Sequence, residues 1–311
     1  MQIGIIGYYQ GNNHGDARIL HCLRQIFAGH ELVVVGSYEE TSTRIDELNA
    51  CDFVLFGGGG LVCPGRGHAA SIFAALKTRF GCVGLGIECR DQSNEELIAV
   101  IEDKAEFMWV RDKASAALLH RPAILGSDAT FLDPYPVVTP IAEDVCGVNI
   151  RNWPFVVWDS ENYKKLMRSS FNDRLVALLF TTPTFHPHIP ENDEPFFARL
   201  AIIYDSSKSL PELYRQCRYI VGMRFHSIVF AIQSGLPFVS LAYWPKCRNL
   251  CVDGGFADMV LELDEVARLP EKIQALRNNY DELRKRTLAY REKSIVAATT
   301  AAATVKNLMG I

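Results

Sequence analysis

Residues 1–27 read MQIGIIGYYQGNNHGDARILHCLRQIF. An apolar run at 3–8 gives way to a Gly/Asn-rich turn at 11–16. Ile19, Leu20, Leu23, Ile26 and Phe27 then recur at helical spacing within 17–27. That is a strand, a turn and an amphipathic helix. The alternation continues, with further strand-like runs at 32–36, 53–56, 82–86, 108–110 and 123–125. Apolar strands joined by helices predict a parallel sheet covered on both faces.

The pattern breaks at Asp133-Pro134-Tyr135-Pro136 and on to Pro140, then restarts. Strands are expected at 145–150, 175–180, 201–204, 219–221, 238–241 and 259–261, with a helix at 161–171. A Pro/His-rich loop is expected at 181–195, and helix from Pro270 almost to the end. The expectation is an α/β chain of two tandem Rossmann-like domains, 1–135 and 141–311, facing a central cleft. Such halves bind ligands at the C-terminal ends of their strands.

Composition narrows the classes. Hydrophobic residues make up 49% of the 311 and charged residues 22%, which is globular and not disordered. A net charge of −4 argues against a dedicated nucleic-acid binder. No apolar run reaches the ~18 residues of a membrane span, and the first residues run straight into a strand pattern without a basic n-region. The nine cysteines are scattered through apolar runs and read as reduced core thiols. A cytoplasmic protein is expected.

Several turns carry side chains able to do chemistry. Gly11-Asn12-Asn13-His14-Gly15-Asp16 leads onto a helix N-terminus, where free backbone N–H groups can meet an anion. The plain alternative is a tight turn with Asp16 as N-cap. The segment has neither the dinucleotide glycine spacing nor a P-loop lysine. Gly57-Gly58-Gly59-Gly60 directly follows the strand 53–56 and allows either close backbone approach by a ligand or a strained turn. Arg111-Asp112 ends the strand 108–110, as a ligand contact or as a salt-bridged, helix-capping pair. Arg151 ends the strand 145–150 and offers a guanidinium fork to a carboxylate or phosphate, or an ordinary ion pair.

Gly222-Met223-Arg224-Phe225-His226-Ser227 is the most informative stretch. It turns from the strand 219–221 into an apolar helix, with Gly235 and Pro237 beyond. Arg224 can grip an anion through two hydrogen bonds. His226, at a helix N-terminus, can exchange protons near neutrality. In Tyr243-Trp244-Pro245-Lys246, Lys246 can reach a phosphate and an aromatic ring can stack on a sugar; a snorkelling lysine is the alternative. His186-Pro187-His188 and the Cys247/Cys251 pair lack the partners of a metal site, so no metal is expected. Neither H-E-x-x-H nor G-x-S-x-G occurs.

In this order the motifs resemble the polysaccharide pyruvyl transferase family. The family's G-N-x-G-D loop corresponds to Gly11–Asp16, with one extra residue before Gly15-Asp16. Its G-G-G-x-L run is similar to Gly58-Gly59-Gly60-Leu61, and its R-D-x-x-S segment to Arg111-Asp112-Lys113-Ala114-Ser115. Its D-x-x-F region resembles Asp128-Ala129-Thr130-Phe131. Its R-[FL]-H turn, G-x-P and Y-x-x-K resemble Arg224-Phe225-His226, Gly235-Leu236-Pro237 and Tyr243–Lys246.

The resemblance implies a fold like that of two-Rossmann glycosyltransferases. It also implies transfer of the pyruvyl group of phosphoenolpyruvate to a saccharide, forming a cyclic ketal and releasing phosphate. His226 is then the catalytic residue, and Arg224, Arg151, Ser227 and Lys246 bind the donor. Asn13, Asp16, Gly58, Gly59, Gly60, Arg111, Asp112 and Tyr243 are candidates for the cleft and acceptor. No cofactor is needed beyond phosphoenolpyruvate as substrate. The partners are that donor and a saccharide or lipid-linked saccharide, and no nucleic acid. A lipid-linked acceptor would bring the protein transiently to the inner face of the membrane. Two other classes compete: a sugar-nucleotide glycosyltransferase on the same architecture, and a non-catalytic sugar or anion binder.

Overall fold

The structure, a computed structural model, describes residues 1–9, 13–151, 174–181, 193–199, 202 and 204–311. One sheet contains β1 (Gln2–Ile6), β2 (Glu31–Val35), β3 (Phe53–Val62), β4 (Arg79–Ile87), β5 (Met108–Val110) and β6 (Ile124–Leu125). Its order is β2-β1-β3-β4-β5-β6, and every pairing is parallel. A second sheet contains β7 (Val145–Asn149), β8 (Arg174–Ala177), β9 (Tyr219–Gly222), β10 (Phe238–Ala242) and β11 (Val260–Glu262). Its order is β11-β10-β9-β7-β8, again all parallel.

Counted from its own first strand, each sheet runs 2-1-3-4-5, and the first adds a sixth. In this doubly wound order the strand order reverses between the first and third strands, which opens a crevice at their C-terminal ends. The crevice falls after β1 and β3 in one sheet, and after β7 and β9 in the other. The strands are apolar because both faces are covered: Ile3, Ile5, Phe53, Leu55, Val148, Ile220, Val221 and Leu241 are all inaccessible to solvent.

The chain forms two compact units. Met1–Asp133 with Lys293–Ile311 makes one, and Pro134–Glu292 the other. The helix Tyr280–Met309 therefore starts in the second unit and ends in the first, whereas the sequence assigned all of 141–311 to one domain. Its last turns bury Ala298, Ala301, Ala302, Val305 and Met309. The Leu308 carbonyl accepts from Arg79 Nη2 at 3.2 Å. A tract of small residues carries no sign of which sheet it will lie against.

Other elements differ in detail. The glycine run does not follow a strand but lies inside β3, which continues to Val62. Gly58 and Gly59 have φ of +70° and +89°, and the register with β4 shifts between Gly59 and Val62. A Cβ at Gly58 would sit 2.2 Å from Ile19 Cγ2, so the run admits the first helix, His14–Ile26, against the sheet. Asn13, not Asp16, caps that helix, accepting from Gly15 N–H at 2.9 Å; Asp16 lies in the first turn. Pro195, read as loop, lies in the helix Glu194–Arg199. Residues 202 and 204, expected in a strand, are in neither strand nor helix. The expected helix at 161–171 and most of the loop at 181–195 lie outside the described residues.

Candidate functional site

In the second unit, three strand ends and two helix starts bring the polar side chains together. β7 ends on Asn149, followed by Ile150 and Arg151. β9 ends on Gly222, and Arg224 then precedes the helix Phe225–Gln233. β10 is followed by Tyr243 and by the helix Pro245–Asp253, with Lys246 in its first turn. Arg151 and Arg224 thus occupy the crevice positions of this doubly wound sheet.

The Arg224 turn is held from several sides. Its backbone N–H donates to Asn149 Oδ1 at 2.9 Å, and Asn149 Nδ2 donates to the Leu178 carbonyl at 2.8 Å. Its guanidinium grips the Asp193 carboxylate through Nε, at 3.2 and 3.1 Å, and Nη2, at 2.7 Å. Nη2 also donates to Thr181 Oγ1 at 3.0 Å. The Arg224 carbonyl accepts from Ser227 N–H at 2.9 Å and from its hydroxyl at 2.6 Å. Ser227, expected to bind donor, is fully buried and directs its hydroxyl into this turn.

His226 is buried inside that turn, against aromatic rings. Its ring centre lies 5.2 Å from that of Phe225, edge-on, and 5.9 Å from that of Phe230. Phe230 stacks on Phe180 at 5.6 Å and packs on Tyr135 at 4.6 Å. Tyr214 completes the layer and donates its hydroxyl to the Ser227 carbonyl at 2.8 Å. Burial holds its phenol far above the ordinary range, so it remains a donor.

Two more cations meet on one ring. Arg151 Cζ lies 5.5 Å, and Lys246 Nζ 5.9 Å, from the centre of the Tyr243 ring. Arg151 Nη1 is 3.4 Å from the Tyr243 hydroxyl, and its backbone N–H reaches Met223 Sδ at 3.3 Å. Tyr243 and Lys246 are half-buried. This is a positively charged shelf at the C-terminal edge of the sheet, beside a helix N-terminus. It can hold a carboxylate or a phosphate.

The first unit's expected residues are mostly occupied by its own packing. Asp112 accepts from Ser115 N–H at 2.7 Å and caps the helix Lys113–Ala117. Arg111, almost wholly buried, lies 3.4 Å from Asp112 and 3.9 Å from Asp128. A Cβ at Gly86 would sit 2.6 Å from its guanidinium, and one at Gly60 would meet Glu88 Oε1 at 2.5 Å. Leu23, Ile19 and Asp16 cover Gly57, Gly58 and Gly59 in turn. Tyr9 donates its hydroxyl to the Gly57 carbonyl at 2.5 Å. Burial, and then the nearby Asp16 charge, push its phenol above the ordinary range. Asp16 and Gly60 remain half-exposed at this sheet's crevice.

Asn149 and Asp193 were not singled out from sequence. A polar residue ending an apolar strand was the available signal for Asn149. Asp193 lies in a stretch read only as loop. His186 and His188 fall outside the described residues.

Two doubly wound units of one strand order make an α/β fold of two Rossmann-like domains, as seen in GT-B-type glycosyltransferases and sugar-nucleotide epimerases. Solved structures agree. A putative UDP-N-acetylglucosamine 2-epimerase from Listeria monocytogenes superposes with a TM-score of 0.65 at 14% identity, covering 98% of this chain and 96% of that one. The UDP-GlcNAc 2-epimerase of Neisseria meningitidis, bound to UDP-GlcNAc, gives 0.63 at 11%, covering 99% and 100%. The spinosyn rhamnosyltransferase SpnG, complexed with thymidine diphosphate, gives 0.59 at 8%, covering 99% and 100%. At these identities the likeness is one of fold. No curated protein matches.

The sequence model of the polysaccharide pyruvyl transferase family matches residues 13–245, and the chain belongs to that family. Membership implies a transferase that acts on polysaccharide. No helix among the described residues is long and apolar enough to cross a membrane.

Proposed function

We propose that the protein transfers the pyruvyl group of phosphoenolpyruvate to two hydroxyls of a saccharide, forming a cyclic ketal and releasing phosphate. The observation that carries this reading is the Arg151–Tyr243–Lys246 shelf beside the His226 turn. Phosphoenolpyruvate carries its carboxylate and its phosphate ester on one carbon, and a site with two cations near one ring offers a partner to each group. Arg224, whose Nε and Nη2 hold Asp193, is expected to share this task with Arg151 and Lys246.

The chemistry needs two proton movements. The methylene carbon gains a proton, which makes C2 electrophilic, and one sugar hydroxyl adds there. The C2–O bond to phosphate then breaks as the second hydroxyl adds. One hydroxyl proton ends in the new methyl group, and the other leaves with phosphate. His226 is the group suited to carry a proton in one of these steps. Arg151 and Lys246 stabilise the charge that develops on the departing phosphate.

The test is thermal melting with phosphoenolpyruvate, phosphate, UDP and GDP in parallel, followed by phosphate release with a panel of methyl glycosides. A ligand at a hundredfold excess over Kd adds ~2.7 kcal/mol of stability. Phosphoenolpyruvate is expected to raise the melting temperature of the wild type and of His226→Gln, with His226→Gln releasing no phosphate. A shift with UDP or GDP and none with phosphoenolpyruvate overturns the reading in favour of a sugar-nucleotide donor.

A further inference from the structure

The loop that follows β3 carries a guanidinium that no carboxylate holds. Arg18, Arg44, Arg79, Arg90 and Arg111, also in the first unit, each lie 2.6–3.4 Å from a carboxylate oxygen. Arg66 is half-buried, and among the described residues no acidic group lies within ion-pair distance of it. Its Cζ lies 5.5 Å from the centre of the Tyr38 ring. Burial works against its charge, but Cys63, Tyr38 and Glu39 nearby outweigh burial, so the group stays a cation.

Ring and loop are both pinned. Gly65 N–H donates to Ser93 Oγ at 2.8 Å, and Gly67 N–H to the Ser93 carbonyl at 2.7 Å. Ser93 is held in turn by Asp91, whose Oδ1 accepts from its N–H at 2.8 Å and from its hydroxyl at 2.6 Å. The Tyr38 hydroxyl donates to the Leu61 carbonyl at 3.0 Å. Arg66 is thus presented just beyond the C-terminal end of β3, on the edge where doubly wound sheets take their ligands.

His68 adds a second donor beside the same ring. It is exposed, and it stands edge-on to Tyr38 with ring centres 6.2 Å apart. Its Nδ1 lies 3.1 Å from the Gly65 carbonyl. A carbonyl only accepts, so Nδ1 carries the hydrogen and Nε2 is the atom left to meet a ligand, as a donor when the ring is protonated. A guanidinium alone fills both oxygens of a planar carboxylate. The oxygens of a phosphate point tetrahedrally and can serve a guanidinium and an imidazolium together.

We propose that Arg66 and His68 form a phosphate-binding subsite of the first unit, which takes the phosphate or diphosphate carried by the saccharide acceptor. The anion site stands on this geometry. Its assignment to the acceptor rests on the transfer proposed above, in which the donor's anionic groups belong to the second unit.

The test reads the site itself. The imidazole Cε1–H resonance of His68, assigned among the eight histidines by His68→Gln, is followed during titration with glucose 1-phosphate, pyrophosphate and methyl glucoside. The two phosphates are expected to shift it, and methyl glucoside to leave it in place. Arg66→Gln should raise the midpoint for both phosphates tenfold or more, as loss of a charged hydrogen bond implies, and change phosphoenolpyruvate affinity by no more than about threefold. Glu39→Gln should act in the opposite direction. The Glu39 carboxyl is held below the usual range, first by its own N–H and the Ser37 hydroxyl and then by Arg66 and His68. Removing that exposed negative neighbour should lower the midpoint roughly two- to fivefold.

Flotation with phosphatidylcholine vesicles, with and without a polyprenyl diphosphate, separates two sources of the anion. Capture that Arg66→Gln abolishes assigns it to a lipid carrier. Absence of capture, with glucose 1-phosphate bound, assigns it to a soluble sugar phosphate, and either result upholds the subsite. A His68 resonance that glucose 1-phosphate does not move overturns the proposal. So does an unchanged midpoint in Arg66→Gln, or in Glu39→Gln should Arg66→Gln not fold. If the wild type does not bind phosphoenolpyruvate while His68 still responds, the transfer reading fails and the anion subsite stands.

Discussion

The Arg151 guanidinium and the Tyr243 ring form one unit: Cζ stands 5.5 Å from the ring centre, and Nη1 stands 3.4 Å from the hydroxyl. Lys246, one turn further on, approaches the same ring at 5.9 Å. Two cations therefore share one aromatic anchor.

From this arrangement, Arg151→Ala and Lys246→Ala should each weaken phosphoenolpyruvate binding by roughly 10- to 100-fold, the range for a charged hydrogen bond. Tyr243→Leu should lose less, about 0.5–2 kcal/mol, because it removes a cation–π anchor and not a donor. Tyr243→Phe should stay close to wild type, since 3.4 Å is too long for a strong hydrogen bond. Calorimetric titration ranks the four variants. An Arg151→Ala protein that binds as tightly as wild type would remove the shelf from the donor site.

The glycine run makes a separate claim about stability. Gly58 combines a left-handed φ with Ile19 Cγ2 at 2.2 Å from where a Cβ would stand. Gly58→Ala should cost roughly 2–5 kcal/mol, the sum of backbone strain and overpacking. At ~2–4 °C per kcal/mol, the first unit should melt roughly 4–20 °C lower. Adding Ile19→Ala should cost less than its effect in the wild type, because it also relieves the clash. Strict additivity in this cycle would show that the glycine is not there to admit the helix.

How far the sequence carried follows from where each signal resides. Continuous apolar runs such as Phe53-Val54-Leu55-Phe56 announce buried parallel strands, because burial on both faces leaves no polar alternation. The places of Arg151, Arg224 and His226 after strand ends were legible because each follows such a run. The end of β3 was not legible: glycines read as a close approach for a ligand or a strained turn, yet here they extend the strand under a helix that only tertiary packing brings near. Asp193 was hidden for the same reason, since its partner is 31 residues away and nothing local links them. Ser227, expected among the donor-binding residues, gives its hydroxyl to the Arg224 carbonyl, a long-range consequence of the turn that its sequence does not announce. The return of Lys293–Ile311 to the first unit depends on long-range packing that an Ala/Thr tract does not encode.

Acid stability offers a last test, on the buried Glu102. Its Oε2 accepts from Arg90 Nη1 at 3.0 Å, and its Oε1 accepts from the Arg121 N–H at 3.1 Å and from the His120 N–H. Burial is the largest influence on this carboxyl and pushes it up. The two backbone donors and the Arg90 guanidinium together outweigh burial, so the group sits below the usual carboxylate range. A carboxyl whose folded pKa lies below its unfolded value of about 4.3 contributes stability above that value. The contribution is lost as pH falls through the folded pKa. Glu102→Gln should therefore cost about 1–3 kcal/mol at pH 7, where it faces Arg90 with an amide and loses the charge-assisted bond. The gap between wild type and variant should narrow steadily below about pH 4.5, as protonation removes the same charge from the wild type. Melting curves recorded from pH 7 down to pH 3 supply the comparison. Two parallel curves would mean that the Glu102 charge does not contribute to the fold, and that its oxygens serve only as acceptors for the chain after the helix Lys113–Ala117.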